Sequence, residues 1–241
     1  MPVTDLTFQV VGVSKTYGGR PALADVSFTS HAGEVLGLIG PNGAGKTTLF
    51  EGLAGTLPID AGQLLWQGRP LNGAERHLHV GYVPDGISPW GNERVEWILD
   101  YVVGLFGSRG LEPARLIDEL DLKNCLDVPL DALSKGQRKR AVLAVALLLP
   151  QPLLLIDEPF DGLDLKQTRH VGELLRKHAS AGRTLFLSIH QIGDAARICD
   201  RLILLNAGRV VGEGTVDELT SASGPLPNRV TALEDIFLAL T

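Results

Sequence analysis

The chain contains 241 residues, of which 44% are hydrophobic and 21% are charged, a composition typical of soluble globular proteins. Its formal net charge of −6 at pH 7 argues against a general binder of polyanions, so we expect no nucleic-acid partner. The sequence has no run of about 18 uninterrupted apolar residues and no basic N-terminal region followed by an apolar run, so we expect neither a membrane span nor a signal peptide. If the protein works at a membrane, another chain must supply the span.

The N-terminal region is predicted to form antiparallel strands. Residues 6–30 alternate apolar and polar side chains, which is typical of strands with one buried face. A turn over residues 15–19 interrupts this pattern and carries Tyr17. An exposed aromatic ring here can stack on a nucleobase, and an ordinary turn tyrosine is the alternative interpretation.

The next segment has the pattern of a phosphate-binding loop. Residues 35–39 predict a buried parallel strand, and a predicted helix begins after Lys46. Between them the sequence fits G-x-x-x-x-G-K-[ST], in which glycines let successive backbone N–H groups point into one concavity and the helix N-terminus favours an anion. We expect Lys46 to reach the β- and γ-phosphates and the Thr47 hydroxyl to ligate Mg²⁺. The expected nucleotide-binding residues of this loop are Gly40, Pro41, Asn42, Gly43, Ala44, Gly45, Lys46, Thr47 and Thr48.

Helical segments dominate the middle of the chain. A predicted strand over residues 80–83 ends in a loop with Asp85 at its tip. Helices are then predicted over residues 93–106, 112–120 and 134–149, which is more than a crossover between parallel strands requires. The chain is therefore predicted to be a single α/β domain over residues 1–241, with a parallel central sheet and an inserted helical subdomain over residues 87–149.

The last of these helices begins with a second candidate anion site. Ser134 is a predicted N-cap, and Gly136 leaves N–H groups of the first turn open to an anion. The basic run over residues 138–140 is predicted to be a solvated helix face rather than a nucleic-acid patch.

Two further apolar strands end in chemically active side chains. Asp157 and Glu158 follow the aliphatic residues 153–156; Asp157 fits a magnesium partner, and Glu158 is placed to orient or deprotonate an attacking water. A strand over residues 184–189 ends at His190, which can hydrogen-bond a phosphate. Because ligands gather at the carboxyl ends of parallel strands, we expect these groups and Lys46 to converge on one site. Farther on, we predict a linker over residues 221–228 and a short amphipathic helix over residues 233–240, within a C-terminal tail that spans residues 225–241.

In this order, the motifs closely resemble those of the ATP-binding subunits of ABC transporters, over almost the whole chain. GPNGAGKTT resembles Walker A, LSKGQ the family signature, LLLIDEP Walker B and FDGLD the D-loop. Tyr17 resembles the base-stacking aromatic of the family, and His190 resembles its switch histidine. The resemblance implies that Glu158, His190 and Lys46 are catalytic. It also adds a set of signature residues to the nucleotide site: Ser134, Lys135, Gly136 and Gln137.

Two positions depart from the family pattern. Lys135 stands where the signature commonly has glycine, which is similar to exporter ATPases whose permease is a separate chain. Asp85 stands where the family usually has glutamine, or glutamate in some exporters. The resemblance implies a metal site formed by Thr47, Asp85 and Asp157. Because the side chain of Asp85 is one methylene shorter than glutamate, it is expected to contact the metal through water.

The resemblance also implies an assembly. An ATPase of this kind binds ATP with Mg²⁺, pairs head to tail with a second copy of itself, and drives export through a separate transmembrane permease at the cytoplasmic face of the cell membrane. Each ATP lies between the P-loop of one copy and Ser134 and Gly136 of the other. The alternatives are a soluble ABC ATPase that acts in cofactor assembly or on nucleic acid, and a nucleotide-binding scaffold that does not hydrolyse ATP.

Overall fold

The computed structural model describes residues 6–107 and 113–221, together with Leu233, Asp235 and Phe237. In this part of the chain the strands form one four-stranded and one six-stranded sheet. The strands are β1 (Leu6–Tyr17), β2 (Arg20–His31), β3 (Val35–Ile39), β4 (Ala61–Trp66), β5 (Arg69–Pro70), β6 (Val80–Val83), β7 (Leu153–Asp157), β8 (Thr184–Ser188), β9 (Arg201–Asn206) and β10 (Arg209–Gly214). The helices are α1 (Lys46–Ala54), α2 (Arg76–His79), α3 (Val95–Phe106), α4 (Pro113–Glu119), α5 (Lys135–Leu148), α6 (Leu165–Ser180), α7 (Ile192–Ile198) and α8 (Val216–Ser221).

The smaller sheet is antiparallel and has the order β2-β1-β4-β5. β1 pairs with β2 from Leu6 opposite His31 to Tyr17 opposite Arg20. Buried apolar residues alternate with more exposed ones along β2, as expected for a sheet with one covered face. The predicted antiparallel N-terminal strands are confirmed.

The larger sheet has the order β10-β9-β3-β8-β7-β6, and every pair of neighbours from β9 to β6 is parallel. β10 pairs antiparallel with β9 in a hairpin. All residues of β3, β7 and β8 are buried, because a parallel sheet is covered on both faces. The predicted parallel central sheet is confirmed, and its buried strands bring their carboxyl ends to one edge.

The helix that follows the P-loop lies between the two sheets. Phe50 of α1 packs against Phe186 of β8 with ring centroids 4.9 Å apart, and Phe28 of β2 packs against the same ring at 5.3 Å. These rings belong to one cluster of buried residues that joins both sheets. The first turn of α1 is thereby fixed relative to the strand ends.

Three helices lie in the sequence between β6 and β7, which are neighbours in the sheet. Residues of α3 and α5, such as Val102 and Leu143, share one buried cluster with Leu154 of β7 and Leu187 of β8. The bounds 87–149 for an inserted subdomain stay a prediction. Among the helices that the structure describes, none has the length and apolarity that a membrane crossing needs.

The C-terminal predictions fall largely outside the described residues. The predicted linker over residues 221–228 lies outside them except for Ser221, which ends α8. Of the tail over residues 225–241, Leu233, Asp235 and Phe237 are helical. Leu233 is buried and Phe237 packs against the larger core, so this part of the tail covers the domain.

Candidate functional site

The P-loop connects β3 to α1 through a turn that requires glycine. Gly45 immediately precedes α1 and has a φ of 105°, which a side chain rarely tolerates. A Cβ atom at this position would lie 2.6 Å from the carbonyl oxygen of Ala22, so the loop packs against β2 with no room for a side chain. Pro41, Asn42 and Gly43 are exposed at the tip of the loop.

Lys46 lies in the concavity of this loop. Its side chain is buried, and Nζ donates hydrogen bonds to the carbonyl oxygens of Gly40 at 2.7 Å and Pro41 at 3.3 Å. Burial lowers the pKa of Lys46, and the nearby carboxylates of Glu158 and Asp157 act in the opposite direction. An ammonium group bonded only to neutral carbonyls is poised to exchange them for a phosphate oxygen.

Asp157 joins the P-loop helix to two strand ends. The hydroxyl of Thr47, in the first turn of α1, donates to Asp157 Oδ2 at 3.1 Å. The hydroxyl of Ser188 donates to the other carboxylate oxygen, Oδ1. Asp157 is almost fully buried, so these donors compensate the removal of its charge from water.

The residues present fit a magnesium ion that is held partly by a nucleotide. No group of three or more His, Cys, Asp and Glu side chains within the described ranges forms a metal site of its own. Mg²⁺ is usually bound through one or two carboxylates together with phosphates and waters, and Thr47 and Asp157 offer oxygen ligands of that kind.

Glu158 has an unusual backbone conformation at the end of β7. Its φ is 53°, in the left-handed region that non-glycine residues seldom adopt. Ser188 holds it there, because the Glu158 N–H donates to the Ser188 carbonyl at 3.2 Å and to the Ser188 hydroxyl at 3.0 Å. Such strain is often found at functional sites.

The carboxylate of Glu158 contacts His190, with Oε1 against Nε2. Burial raises the pKa of Glu158 and Asp157 acts in the same direction, whereas His190 and Lys46 lower it. The two side chains border a cavity of about 330 Å³ that also includes Ser188 and Asp161. The structure therefore places a carboxylate and an imidazole side by side at the ends of β7 and β8.

Asp85 follows β6 and contacts a lysine of α5. Lys139 Nζ lies 2.8 Å from Asp85 Oδ1, and the Lys139 side chain is only 12% exposed. Both residues border a cavity of about 400 Å³ that also includes Asp157. The assignment of Asp85 to a metal stays a prediction.

The basic run over residues 138–140 is not a solvated helix face, and that prediction was wrong. Besides Lys139, Arg140 is largely buried and donates to the carbonyl oxygens of Leu120 at 2.7 Å and Asp121 at 2.9 Å. Arg138 donates to the carbonyl oxygen of Asp131 at 2.9 Å. These donors satisfy backbone carbonyls in the helical region, a role that a charge run in the sequence does not reveal.

The signature residues form the start of α5. Ser134 caps the helix in a capping box: its hydroxyl accepts from the Gln137 N–H at 3.3 Å, and the Gln137 side chain accepts from the Ser134 N–H at 3.0 Å. The predicted N-cap is confirmed, although the Gln137 N–H is already bonded. A Cβ atom at Gly136 would lie 2.9 Å from the carbonyl oxygen of Gly162, and Lys135 Nζ lies 2.7 Å from Asp161 Oδ2.

Tyr17 ends β1 and has the exposure that stacking on a base requires. Its side chain is 47% exposed, and Lys15 Nζ lies 5.6 Å from the ring centroid. Lys15 is itself held by Asp60 at 2.9 Å. A base-stacking role for Tyr17 stays a prediction.

Sequence reasoning missed Ser188, which forms hydrogen bonds with Asp157 at the end of β7 and with Glu158 after it. The side chain gives no signal by itself, because a serine at the end of an apolar strand is common. Its partner follows from the strand register, which sets Ser188 opposite Asp157. A correct alignment of β7 with β8 would have identified it.

Comparison with known proteins identifies the family that the motifs resemble. The family model described as ABC transporter matches residues 23–161. The chain is 34% identical to the Nod factor export ATP-binding protein I of Sinorhizobium fredii, over 94% of this chain and 74% of that protein. It is 31% identical to the probable multidrug ABC transporter ATP-binding protein YbhF of Escherichia coli, over 95% of this chain and 40% of that protein.

Solved structures share the fold. A structure described as the ATP-binding subunit of an ABC transporter superposes with a TM-score of 0.85 at 29% identity, and the match covers 97% of this chain and 99% of that one. A bacterial Atm1-family ABC exporter with ATP bound matches with a TM-score of 0.82 at 22% identity, over 98% of this chain and 42% of that one, which shows the fold alone. The chain belongs to the ABC transporter family, as one of its ATP-binding subunits.

Proposed function

We propose that this subunit binds ATP with Mg²⁺ and hydrolyses it to drive transport through a separate membrane permease. One observation carries the hydrolytic part of the proposal. Lys46, the Thr47–Asp157 pair and the Glu158–His190 pair lie at the carboxyl ends of β3, β7 and β8, where parallel sheets bind ligands.

Each residue has a specific task in this proposal. Lys46 leaves the carbonyl oxygens of Gly40 and Pro41 and donates to the β- and γ-phosphates, while the backbone N–H groups of the loop hold the other phosphate oxygens. Thr47 and Asp157 would hold Mg²⁺, which when bound neutralises charge on the phosphates. Glu158 orients the attacking water and accepts its proton, because its carboxylate is the base at the edge of the cavity. His190 holds that carboxylate in place.

The proposal includes a second copy of the chain. Ser134 and Gly136 lie at the N-terminus of α5, and the family resemblance assigns this helix start to the ATP of the other copy. Tyr17 stacks on the base in the first copy. Two chains arranged head to tail then enclose two nucleotides. The two chains dimerise in the ATP state and separate after hydrolysis.

The proposal also includes a permease chain and a location at the cytoplasmic face of the membrane. Its support is helix α3, which carries apolar side chains on both faces. Val95, Ile98 and Val102 are buried, whereas Trp97 and Tyr101 stack on each other at 5.1 Å and are exposed. An exposed pair of aromatic side chains is typical of the centre of a protein interface.

The occupant that we propose for this face is a cytoplasmic segment of the permease with apolar and basic side chains. Trp90 extends the aromatic face, with ring centroids 5.0 Å from Tyr101. Glu93, Glu96 and Asp100 are exposed in the same stretch together with one cation, Arg94, which lies 3.8 Å from Glu96, so the apolar centre has a border with more acidic than basic side chains. The names of the relatives, which refer to Nod factor export and multidrug transport, support export as the direction.

The test is phosphate release by purified wild-type chain and Glu158→Gln. We expect the variant to bind ATP as well as the wild type but to turn over about 10²–10⁴-fold more slowly, because the water loses its base. Glu173→Gln, an exposed position on α6, is the matched control and should hydrolyse normally. Wild-type turnover by Glu158→Gln, or no ATP binding by the wild type, would refute the proposal.

A further inference from the structure

Helix α5 presents two lysines to the catalytic edge of the parallel sheet. Lys135 and Lys139 are four residues apart and therefore lie on the same face of the helix, one turn apart. Lys135 Nζ lies 2.7 Å from Asp161 Oδ2, and Lys139 Nζ lies 2.8 Å from Asp85 Oδ1. These four residues are called the lysine clamp below.

The two aspartates lie in loops that follow neighbouring strands. Asp85 follows β6 and Asp161 follows β7, and these strands are parallel, with Val83 opposite Ile156. The clamp thus ties α5 to two adjacent loops at the edge where the proposed ATP site lies. The cavity of about 400 Å³ between them is also lined by Asp157, the proposed magnesium partner.

The lysines of the two ion pairs differ in burial, and this difference decides which pair contributes more to the stability of the fold. The Lys135 side chain is 67% exposed, and such a surface pair contributes little to stability. The Lys139 side chain is largely buried, so removal of its carboxylate partner would leave a charge without compensation away from water. Of the two aspartates, Asp85 is therefore the one whose lysine partner is largely buried, while its own side chain is 45% exposed.

We propose that Lys139 is a positioning residue of the ATPase, which holds the carboxylate of Asp85 beside Asp157 through its ion pair. Asp85 belongs to a partly exposed loop, and the pair with Lys139 keeps its side chain at the cavity. The ion pair thereby joins α5, whose first turn carries Ser134 and Gly136, to the loop that follows β6 and borders the cavity with Asp157. The inference rests on the proposed function, because the position of Asp85 affects turnover only if this edge hydrolyses ATP.

The first experiment measures the ion pair without nucleotide. Lys139→Met, Asp85→Asn and the double variant are unfolded by urea, together with the wild type. We expect each single variant to lower the midpoint, and the double variant to be no less stable than the worse single one, because the second change removes a charge that is already unpaired. If the midpoint of the double variant falls by the sum of the two single decreases, the two side chains do not stabilise the fold as an ion pair, and the inference is wrong.

The second experiment separates positioning from folding. At saturating ATP and Mg²⁺, we expect Lys139→Met to lower kcat by about fivefold or more, while the ATP concentration for half-maximal rate changes by less than about twofold. Lys139→Arg keeps the charge and should recover kcat to within about twofold of the wild type. Lys123→Met removes the exposed pair of Lys123 with Asp118, which is 2.7 Å long against 2.8 Å for Lys139 with Asp85, and serves as the matched control with unchanged kcat.

The outcomes distinguish this inference from the proposed function. An unchanged kcat in Lys139→Met, or a Lys139→Arg variant as slow as Lys139→Met, would refute the positioning role while the ATPase stands. A wild-type chain that releases no phosphate would refute the proposed function and the positioning role together, and the urea experiment would still decide whether the ion pair exists.

Discussion

Ser188 organises the candidate site at the residue scale. Its hydroxyl donates to Asp157 and accepts from the Glu158 N–H, and its carbonyl oxygen accepts from the same N–H. Ser188 thus fixes both Asp157, the last residue of β7, and Glu158, which follows it. It also stabilises the left-handed backbone of Glu158, with a φ of 53°, which on its own would cost on the order of 1 kcal/mol or more.

The pKa of Glu158 leads to a prediction about stability and pH. Burial raises this pKa, so the folded chain holds the proton more tightly than the unfolded chain does. The ionised carboxylate therefore destabilises the fold, and this loss develops as the pH rises from the ordinary glutamate pKa through the raised one. We expect Glu158→Gln, which cannot ionise, to melt at a higher temperature than the wild type at pH 8.

The measurement is thermal unfolding without nucleotide between pH 4 and pH 8. In a domain of this size about 1 kcal/mol of stability moves Tm by roughly 2–4 °C, so a difference in Tm between the variant and the wild type can be measured. The advantage of Glu158→Gln should shrink as the pH falls. Exposed Glu173→Gln should show no such trend. An advantage that grows toward acid pH would contradict the assigned direction.

The sequence predicted the acidic and basic residues of the site because each follows a strand of apolar residues. We predicted chemical roles for Lys46, Asp157, Glu158 and His190 because each lies at or after the end of such a strand, a pattern that is visible without a structure. Ser188 was missed because its contacts depend on the register of β7 with β8. The partner of Asp85 was also missed, because Lys139 lies far away in sequence and contacts Asp85 only when α5 packs against the loop after β6.

Helix starts were the most predictable feature at the scale of elements. Ser134 was predicted as the N-cap of α5, and the phosphate-binding loop pattern predicted a helix directly after it, where α1 lies. The outer face of α3 could not be predicted in the same way. α3 is mostly apolar, which indicates burial, and only the structure shows that Trp97 and Tyr101 remain exposed.

The exposed face of α3 yields a prediction for the permease. Trp97→Ser with Tyr101→Ser should leave ATP hydrolysis by the isolated chain within about twofold, because both side chains point away from the core. The same double variant should lose most of its binding to the permease, since aromatic anchors contribute about 2 kcal/mol or more each. Leu78→Ser, also at an exposed apolar position, is the control.

Co-purification from native membranes measures this prediction. Equal recovery of the membrane partner with the double variant and with the wild type would show that the aromatic face of α3 is not the permease contact. Loss of ATPase activity together with loss of binding would indicate that the substitutions disturb the fold rather than the interface.

At the scale of the described chain, the parallel sheet and the helical region share one buried core. Phe50 and Phe186 fix α1 between the two sheets, while α5 meets the strand-end loops through the lysine clamp. In the proposed dimer this arrangement places parts of two ATP sites on one chain. In that proposal we expect a change at the phosphates of one site to be transmitted to α5, and through α3 to the permease.

If this chain powers a membrane permease with ATP, as we propose, the permease should be recoverable together with the chain. Tagged Glu158→Gln is held in the ATP state, added to gently solubilised native membranes and recovered with its partners. We expect a protein with several membrane spans to co-purify in the presence of ATP with Mg²⁺. Recovery of only soluble proteins or nucleic acid would contradict this proposal and favour a soluble ABC ATPase that acts in cofactor assembly or on nucleic acid.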